Sequence, residues 1–178
     1  MTASLVIRDI TPADAPVVAA LHAASWRTAY RGILSDAYLN DALDADRLAT
    51  WTTRLADRET SQFGVLALDG DVPVGFGFVF RDADPPWGHL LDNLHVTTAR
   101  RSAGIGPRLM AAIAERLPRG SRLHLWVYDG NVRARAFYDR MGGRPVEQQT
   151  MEPPGGGQAV QWRYVWDDID VLRGVARD

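Results

Sequence analysis

LLDNLHVTTARRSAGIGPR, residues 90–108, is the stretch on which the reading of this chain turns. It opens as an apolar run to Val96, passes Thr97, Thr98 and Ala99, and meets Arg100 and Arg101. It then turns through Gly104-Ile105-Gly106 into a segment of helical periodicity. That order describes a strand, a tight basic loop and the N-terminus of a helix. Such a junction aims several backbone N–H groups and the positive end of a helix dipole at one point, which attracts a phosphate. Gly104 and Gly106 allow the ligand close to the backbone, Ser102 adds a hydroxyl donor, and the two arginines add charge. No Gly-Lys-Ser/Thr follows, so the loop is not a Walker loop. Only two of the three glycines of the dinucleotide fingerprint are in place.

Outward from this stretch the chain alternates between two periods. Leu5-Val6-Ile7 reads as a first strand. Thr11 or Asp14 caps a helix that runs to about Thr28, with Pro12 and Pro16 near its first turn. A short helix from Ser35 or Asp36 to Leu39 and another over Ala45–Ala56 follow. Phe63–Leu68 and Val74–Phe80 are strands joined by the hairpin signal Asp69-Gly70-Asp71. Arg81–Pro86 reads as a polar turn before the strand Gly88–Val96. Gly106–Leu117 carries a helix stripe at Leu109, Met110, Ile113, Ala114 and Leu117. Arg122–Tyr128 is strand-like. Ala134, Phe137, Tyr138 and Met141 form a further helix stripe ended by Gly142-Gly143, and Pro145–Met151 and Ala159–Trp166 are the last strands. The tail from Asp167 is charged and is expected to pack loosely. The order predicts a single α/β domain over residues 1–178, a mixed and mostly antiparallel sheet flanked by helices.

The composition narrows the function. With 178 residues the chain builds a full core without staples. It has no cysteine, hence no disulfide and no thiolate metal site, and His89 and His124 show no metal spacing, so no metal is expected. Residues 1–20 lack a basic segment followed by an apolar block, so no signal peptide is expected, and no apolar run is long enough to span a membrane. A cytoplasmic location is the expectation. The formal charge of −2 argues against a nucleic-acid partner. Six tryptophans and an apolar final strand suggest a homodimer contact.

Two motifs carry a resemblance. Val96 followed by Arg101-x-x-Gly104-x-Gly106, and then Asn131-x-x-Ala134-x-x-Phe137-Tyr138-x-x-x-Gly142, resemble the cofactor motifs of the GCN5-related N-acetyltransferase family. The resemblance covers roughly Leu90 to Arg144. Thr98 stands where the family commonly has proline, Ser102 and Ala103 replace a frequent glycine and a basic or polar residue, and Gly143 replaces an aromatic. The resemblance implies that acetyl-CoA is the cosubstrate, with its pyrophosphate on the amides of Arg101, Ser102, Ala103, Gly104, Ile105 and Gly106. It implies that the strand ending Leu94-His95-Val96 splays from Leu123–Val127 and that the pantetheine arm pairs with backbone in the gap. It also implies that Asn131 contacts that arm and that Tyr138 protonates the leaving thiolate.

Amide formation from a thioester needs a neutral amine, a donor for the developing oxyanion, and an acid for the thiolate. A backbone N–H near Leu94 to Val96 suits the oxyanion, and a phenol near pKa 10 suits the acid. There is neither cysteine nor a Gly-x-Ser-x-Gly elbow, as expected for direct transfer without a covalent enzyme intermediate. Simple strand alternation puts Asp92 on the face of Leu94 and Val96, making it the candidate base through water, and His95 on the opposite face as a packed histidine. The acceptor side is expected over residues 22–46 and 152–160. His22, Trp26 and Tyr30 are its candidate substrate contacts, and WRTAYRGILSDAYL is similar to the acceptor segment of several bacterial small-molecule acetyltransferases. Asp36, Asp41, Asp44 and Asp46 are either a solvated face or an attraction for a cationic amine such as a polyamine or aminoglycoside. Transfer to a protein amine, a non-catalytic acyl-CoA-binding module and a nucleotide-phosphate binder stay open beside transfer to a small amine.

Overall fold

The computed structural model describes residues 5–101 and 103–175. Seven strands form one sheet: β1 (Leu5–Asp9), β2 (Gln62–Asp69), β3 (Val72–Asp84), β4 (Gly88–Val96), β5 (Leu123–Tyr128), β6 (Arg144–Met151) and β7 (Ala159–Trp166). Their spatial order is β1-β2-β3-β4-β5-β7-β6. Every neighbouring pair is antiparallel except β4 and β5. Those two run parallel because the helix after the glycine loop, α3 (Ile105–Glu115), carries the chain back across the sheet, as a parallel pair requires.

The helices divide between the two faces. On one face α3 and α4 (Val132–Arg140) pack Leu109, Met110, Ile113 and Tyr138 against Val65, Val79, Leu91, Leu125 and Tyr164. On the other, α1 (Ala15–Ala29) and α2 (Leu43–Ala56) pack Val18, Ala19, Trp51 and Leu55 against Leu66, Phe76 and Phe78. Leu109, Met110 and Ile113 are fully buried, and each such side chain contributes about 1.5–3 kcal/mol of transfer free energy. The alternation of Phe76, Phe78 against Gly75, Gly77 and Val79 along β3 serves both faces at once.

The expected order of elements is the observed one, with three corrections. The two short helices before and after residue 40 are one continuous helical run, because a π turn over Tyr38–Ala42 leads directly into α2. Arg81–Asp84, expected as a turn, extend β3, since Asp84 still pairs with Gly88 and the bend is confined to the next three residues. The tail after Asp167 is not loose: Ile169 and Leu172 on a short 3-10 turn are fully buried against the α3 layer, and the Ile169 N–H donates to Ser121 O at 2.9 Å. The apolar final strand lies between β5 and β6, and the two edges of the sheet are β1 and the polar β6.

Candidate acyl-transfer site

The site begins where β4 and β5 separate. At the base of the pair, Gly88 has φ +81° and its missing Cβ would lie 2.5 Å from Arg122 O, so only glycine lets the strands close there. The parallel ladder then holds for two positions, His89 opposite Leu123 and Leu90 opposite His124, and stops. Beyond it the backbone groups of β4 that point away from β3, and those of β5 that point away from β7, have no strand partner among the described residues. The cause lies in β4 itself. Phe78 pairs with Asn93 while Val79 pairs with Leu91, leaving Asp92 as the extra residue of a β-bulge, which bends the strand and increases its twist. The separated strands bound a cleft of about 670 Å³ that also takes in the glycine loop and the start of α4.

At one end of the cleft a 3-10 turn over Thr98–Arg100 leads into the loop. Gly104 sits in the left-handed region at φ +72° and turns the chain into α3. The N–H groups of Ile105 and Gly106, in the first helical turn, have no intrahelical acceptor, and Pro107 has no N–H to lose. Arg101, Arg133 and Arg140 line the same end, and burial and the nearby Arg133 lower the pKa of Arg101. Arg100 also lines it but pairs with Asp69 at 2.5 Å. Gly104, Ile105 and Gly106 line the cleft and Ala103 does not; Ser102 lies outside the described residues. Free helix-start amides and unpaired guanidinium groups fit a phosphate-bearing ligand. The gap between the strands fits an extended amide-containing arm, which would pair with backbone as an added strand does.

Leu94, Val96, Asn131 and Tyr138 all line the cleft. Asn131 caps α4, its Oδ1 accepting from the Ala134 N–H at 3.3 Å. Tyr138 is 8 % exposed, with Tyr164 and Trp166 packed about its ring and burial raising its pKa. Tyr30 lines the opposite wall. Burial raises its pKa first, and the nearby Tyr138, Tyr128 and Asp92 add to the rise. The two phenols therefore face one another from the two sides of the gap.

Asp92 does not share the face of Leu94 and Val96. The bulge absorbs one residue of alternation, so Asp92 turns to the α1/α2 face, where Arg54 Nη1 donates to its Oδ2 at 2.8 Å and Asn93 Nδ2 donates to the same atom at 2.5 Å. Asp92 still reaches the cleft wall, on the side of Tyr30. His95 is on the α1/α2 face as expected. Its Nδ1 lies 2.9 Å from Ser25 Oγ, and burial, with Arg101 and Arg47 nearby, lowers its pKa to about 3. His22 and Trp26 stand behind His95 and do not line the cleft. His22 is 2 % exposed, and its Nδ1 accepts from Trp51 Nε1 at 2.9 Å, which puts the proton on Nε2. Trp26 carries the Arg47 guanidinium 4.7 Å above its ring.

Sequence reasoning missed Ser25, Thr28, Trp126 and Arg133, all of which line the cleft. The two-residue period of β5 puts Trp126 beside Tyr128 on one face, but only the splay exposes that face to the cleft. The acidic stretch is mostly a paired surface: Asp44 bonds Arg27, Asp46 bonds Arg47 and Tyr38, and Asp36 lies 3.8 Å from Arg31, while Asp41 is exposed and has no ion-pair partner among the described residues. Among the described residues no group of three or more acidic or histidine side chains is placed to hold a metal, and no helix is long and apolar enough to cross a membrane.

The family model "Acetyltransferase (GNAT) family" matches residues 21–143. A curated protein of Mycobacterium tuberculosis, "Probable N-acetyltransferase Rv2775", is 31 % identical over 137 residues, spanning 75 % of this chain and 76 % of its own. Among solved structures, an acetyltransferase from Thermus thermophilus superposes with a TM-score of 0.68 at 22 % identity, covering 93 % of this chain and 99 % of its own. The PaiA N-acetyltransferase of Thermoplasma acidophilum, solved in complex with coenzyme A, does so with a TM-score of 0.68 at 16 % identity, covering 90 % and 98 %.

Proposed function

Because the chain belongs to the GNAT acetyltransferase family, we propose that it moves an acetyl group from acetyl-CoA directly to a primary amine of a small molecule. The observation that carries this reading is the cleft itself: two parallel strands that part after two paired positions, with free helix-start amides at one end and a buried phenol within. Acetyl-CoA, when bound, supplies the activated acyl group as a thioester. The residues of the loop at Arg101–Gly106 hold its phosphates, with Arg133 and Arg140 beside them. The open backbone edges of β4 and β5 and the Asn131 cap hold its arm, with Leu94, His95 and Val96 as the β4 contribution.

The chain's own groups then divide the proton work. Tyr138 stands on the α4 side, where burial keeps its phenol protonated in the resting site, and it donates that proton to the departing thiolate and is reprotonated from solvent. A β4 N–H pointing into the gap donates to the carbonyl oxygen as negative charge develops there. Asp92, on the acceptor side, takes the amine proton through water. Tyr30 touches the acceptor, and His22 and Trp26 support that wall from behind. The cofactor half spans about residues 90–144 and the acceptor half about 22–46 and 152–160.

Polyamines and aminoglycosides are the acceptors that the acidic stretch recommended. Three of its four carboxylates face arginines and the fourth, Asp41, lies outside the cleft lining, so that support is reduced, and the acceptor is taken up below. The test is a coenzyme A release assay across polyamines, aminoglycosides, amino acids and peptides. Tyr138→Phe must cut the release by about 100-fold while coenzyme A still binds. Binding without turnover for any amine would favour a non-catalytic acyl-CoA module.

A further inference from the structure

The acceptor half of the cleft carries an unusual charge inventory. The lining there is Thr28, Ala29, Tyr30, Leu91, Trp126 and one carboxylate, Asp92. Every other ionisable side chain on the cleft wall, His95 aside, is an arginine at the loop end or a tyrosine. Asp92 is engaged by Arg54 at 2.8 Å. Arg54 is itself pinned, its guanidinium lying 4.9–5.3 Å from the ring centroids of Trp51, Phe78 and Phe80. Of the carboxylates of the acceptor segment, Asp44, Asp46 and Asp36 face Arg27, Arg47 and Arg31, and the exposed Asp41 does not line the cleft. A second ammonium inside the cleft would find, among the described lining residues, no carboxylate besides Asp92, and leaving a charge unpaired in a partly desolvated site is costly.

The apolar surface is prepared instead. Trp126 has the Arg163 guanidinium 4.4 Å from its ring centroid. Arg163 is 8 % exposed and held on three sides: Nε donates to Glu147 Oε1 at 2.5 Å, Nη1 to Asp84 Oδ2 at 3.1 Å, and Nη1 lies 2.9 Å from His124 Nδ1. Trp87 flanks the same guanidinium at 5.1 Å. The indole is thus fixed before any ligand arrives, with one face already used by a cation. Tyr30, which also lines the cleft, is fixed edge-to-face on Tyr128 at 4.9 Å, two residues along β5 from Trp126. Preset aromatic walls bind an apolar body without the entropy cost of ordering them.

We infer that the acceptor is a monoamine with an uncharged apolar or aromatic body that rests against Trp126 and Tyr30, not a polycation. Trp126 is then a specificity-determining residue. The inference rests on the N-acetyltransferase reading above. The test compares phenethylamine, butylamine, putrescine and spermidine by coenzyme A release from acetyl-CoA. The expected kcat/KM for phenethylamine exceeds that for putrescine by at least about tenfold. Trp126→Ala brings the phenethylamine-to-butylamine ratio to within about threefold of unity, and Arg54→Met, which releases Asp92, raises the relative use of putrescine about fivefold or more. A preference for putrescine or spermidine, or an unchanged ratio in Trp126→Ala with coenzyme A affinity retained, overturns the inference alone. If Trp126→Ala does not fold, the Arg54→Met shift decides. Coenzyme A binding with no turnover on any of the four amines overturns the transferase reading and this inference with it.

Discussion

Arg54 of α2 donates to Asp92 of β4 at 2.8 Å, across the face of the sheet opposite to Leu94. That bond records the effect of one inserted residue. Without the bulge Asp92 would point to the α3 face; with it, the carboxylate stands on the acceptor side of the gap. If Asp92 takes the amine proton through water, Asp92→Asn lowers kcat by about 100-fold with coenzyme A affinity retained. The ion pair is partly exposed, so its loss alone costs at most about 1 kcal/mol of stability. A variant with reduced melting temperature but unaltered kcat would assign Asp92 to structure only.

The phenol of Tyr138 is buried on the opposite side of the gap. Tyr138→Phe keeps the ring packing on Tyr164 and Trp166 and deletes only the acid. The expected result is a fall of about two orders of magnitude in kcat with coenzyme A affinity within a factor of about three by calorimetry. Equal losses in kcat and in affinity would show that the hydroxyl organises the cleft and does not act on the leaving group.

Gly104 holds φ +72°, a conformation strained for any β-branched residue. Gly104→Val should displace the helix-start amides and weaken coenzyme A binding at least about 100-fold, while costing about 1–2 kcal/mol in urea unfolding. Gly106→Val has a different cause, because a Cβ at Gly106 would lie 3.1 Å from the Phe137 ring and push α4 away. Unchanged coenzyme A affinity in Gly104→Val would remove the phosphate role of the loop.

His22, His95 and His124 are held neutral. Burial is the first cause in each case, and it takes His95 to about 3 and His124 to about 4. The unfolded chain binds these protons near pH 6.5 and the folded chain does not. The stabilisation is therefore complete above about pH 6.5 and is lost as pH falls toward the folded values, by up to about 1.4 kcal/mol per pH unit per histidine. Urea midpoints measured from neutral pH down to about pH 4.5 should fall steadily below pH 6.5. A flat profile would mean that the histidines titrate in the folded protein.

Trp51 and His22 form a buried hydrogen bond between α2 and α1 at 2.9 Å. Trp51→Phe leaves the His22 nitrogen without its donor and opens space beside Phe76 and Phe78. The expected loss is about 2–4 kcal/mol in chemical denaturation, with coenzyme A affinity retained.

Much of this molecule is legible in one dimension because hydrophobic period and turn chemistry act locally. The strand, glycine loop and helix start over residues 90–108 follow from neighbours in sequence, as do the Asn131 cap and the strand Ala159–Trp166, which forms over the expected residues. The two cofactor motifs were readable for the same reason: each is a helix start or helix face whose residues lie within one or two turns. What alternation along β4 could not show was the bulge at Asp92, because an extra residue in a strand is defined only by its partner, here Phe78 and Val79 of β3. The pairing of Asp44 with Arg27 and of Asp92 with Arg54, which offsets the charge of both carboxylates, joins positions 17 and 38 residues apart. The exposure of Trp126 likewise depends on where two distant strands cease to pair. Local conformation is set by steric and hydrogen-bonding choices within a few residues; the face a side chain takes, and the charge it meets there, are set by elements that only folding brings together.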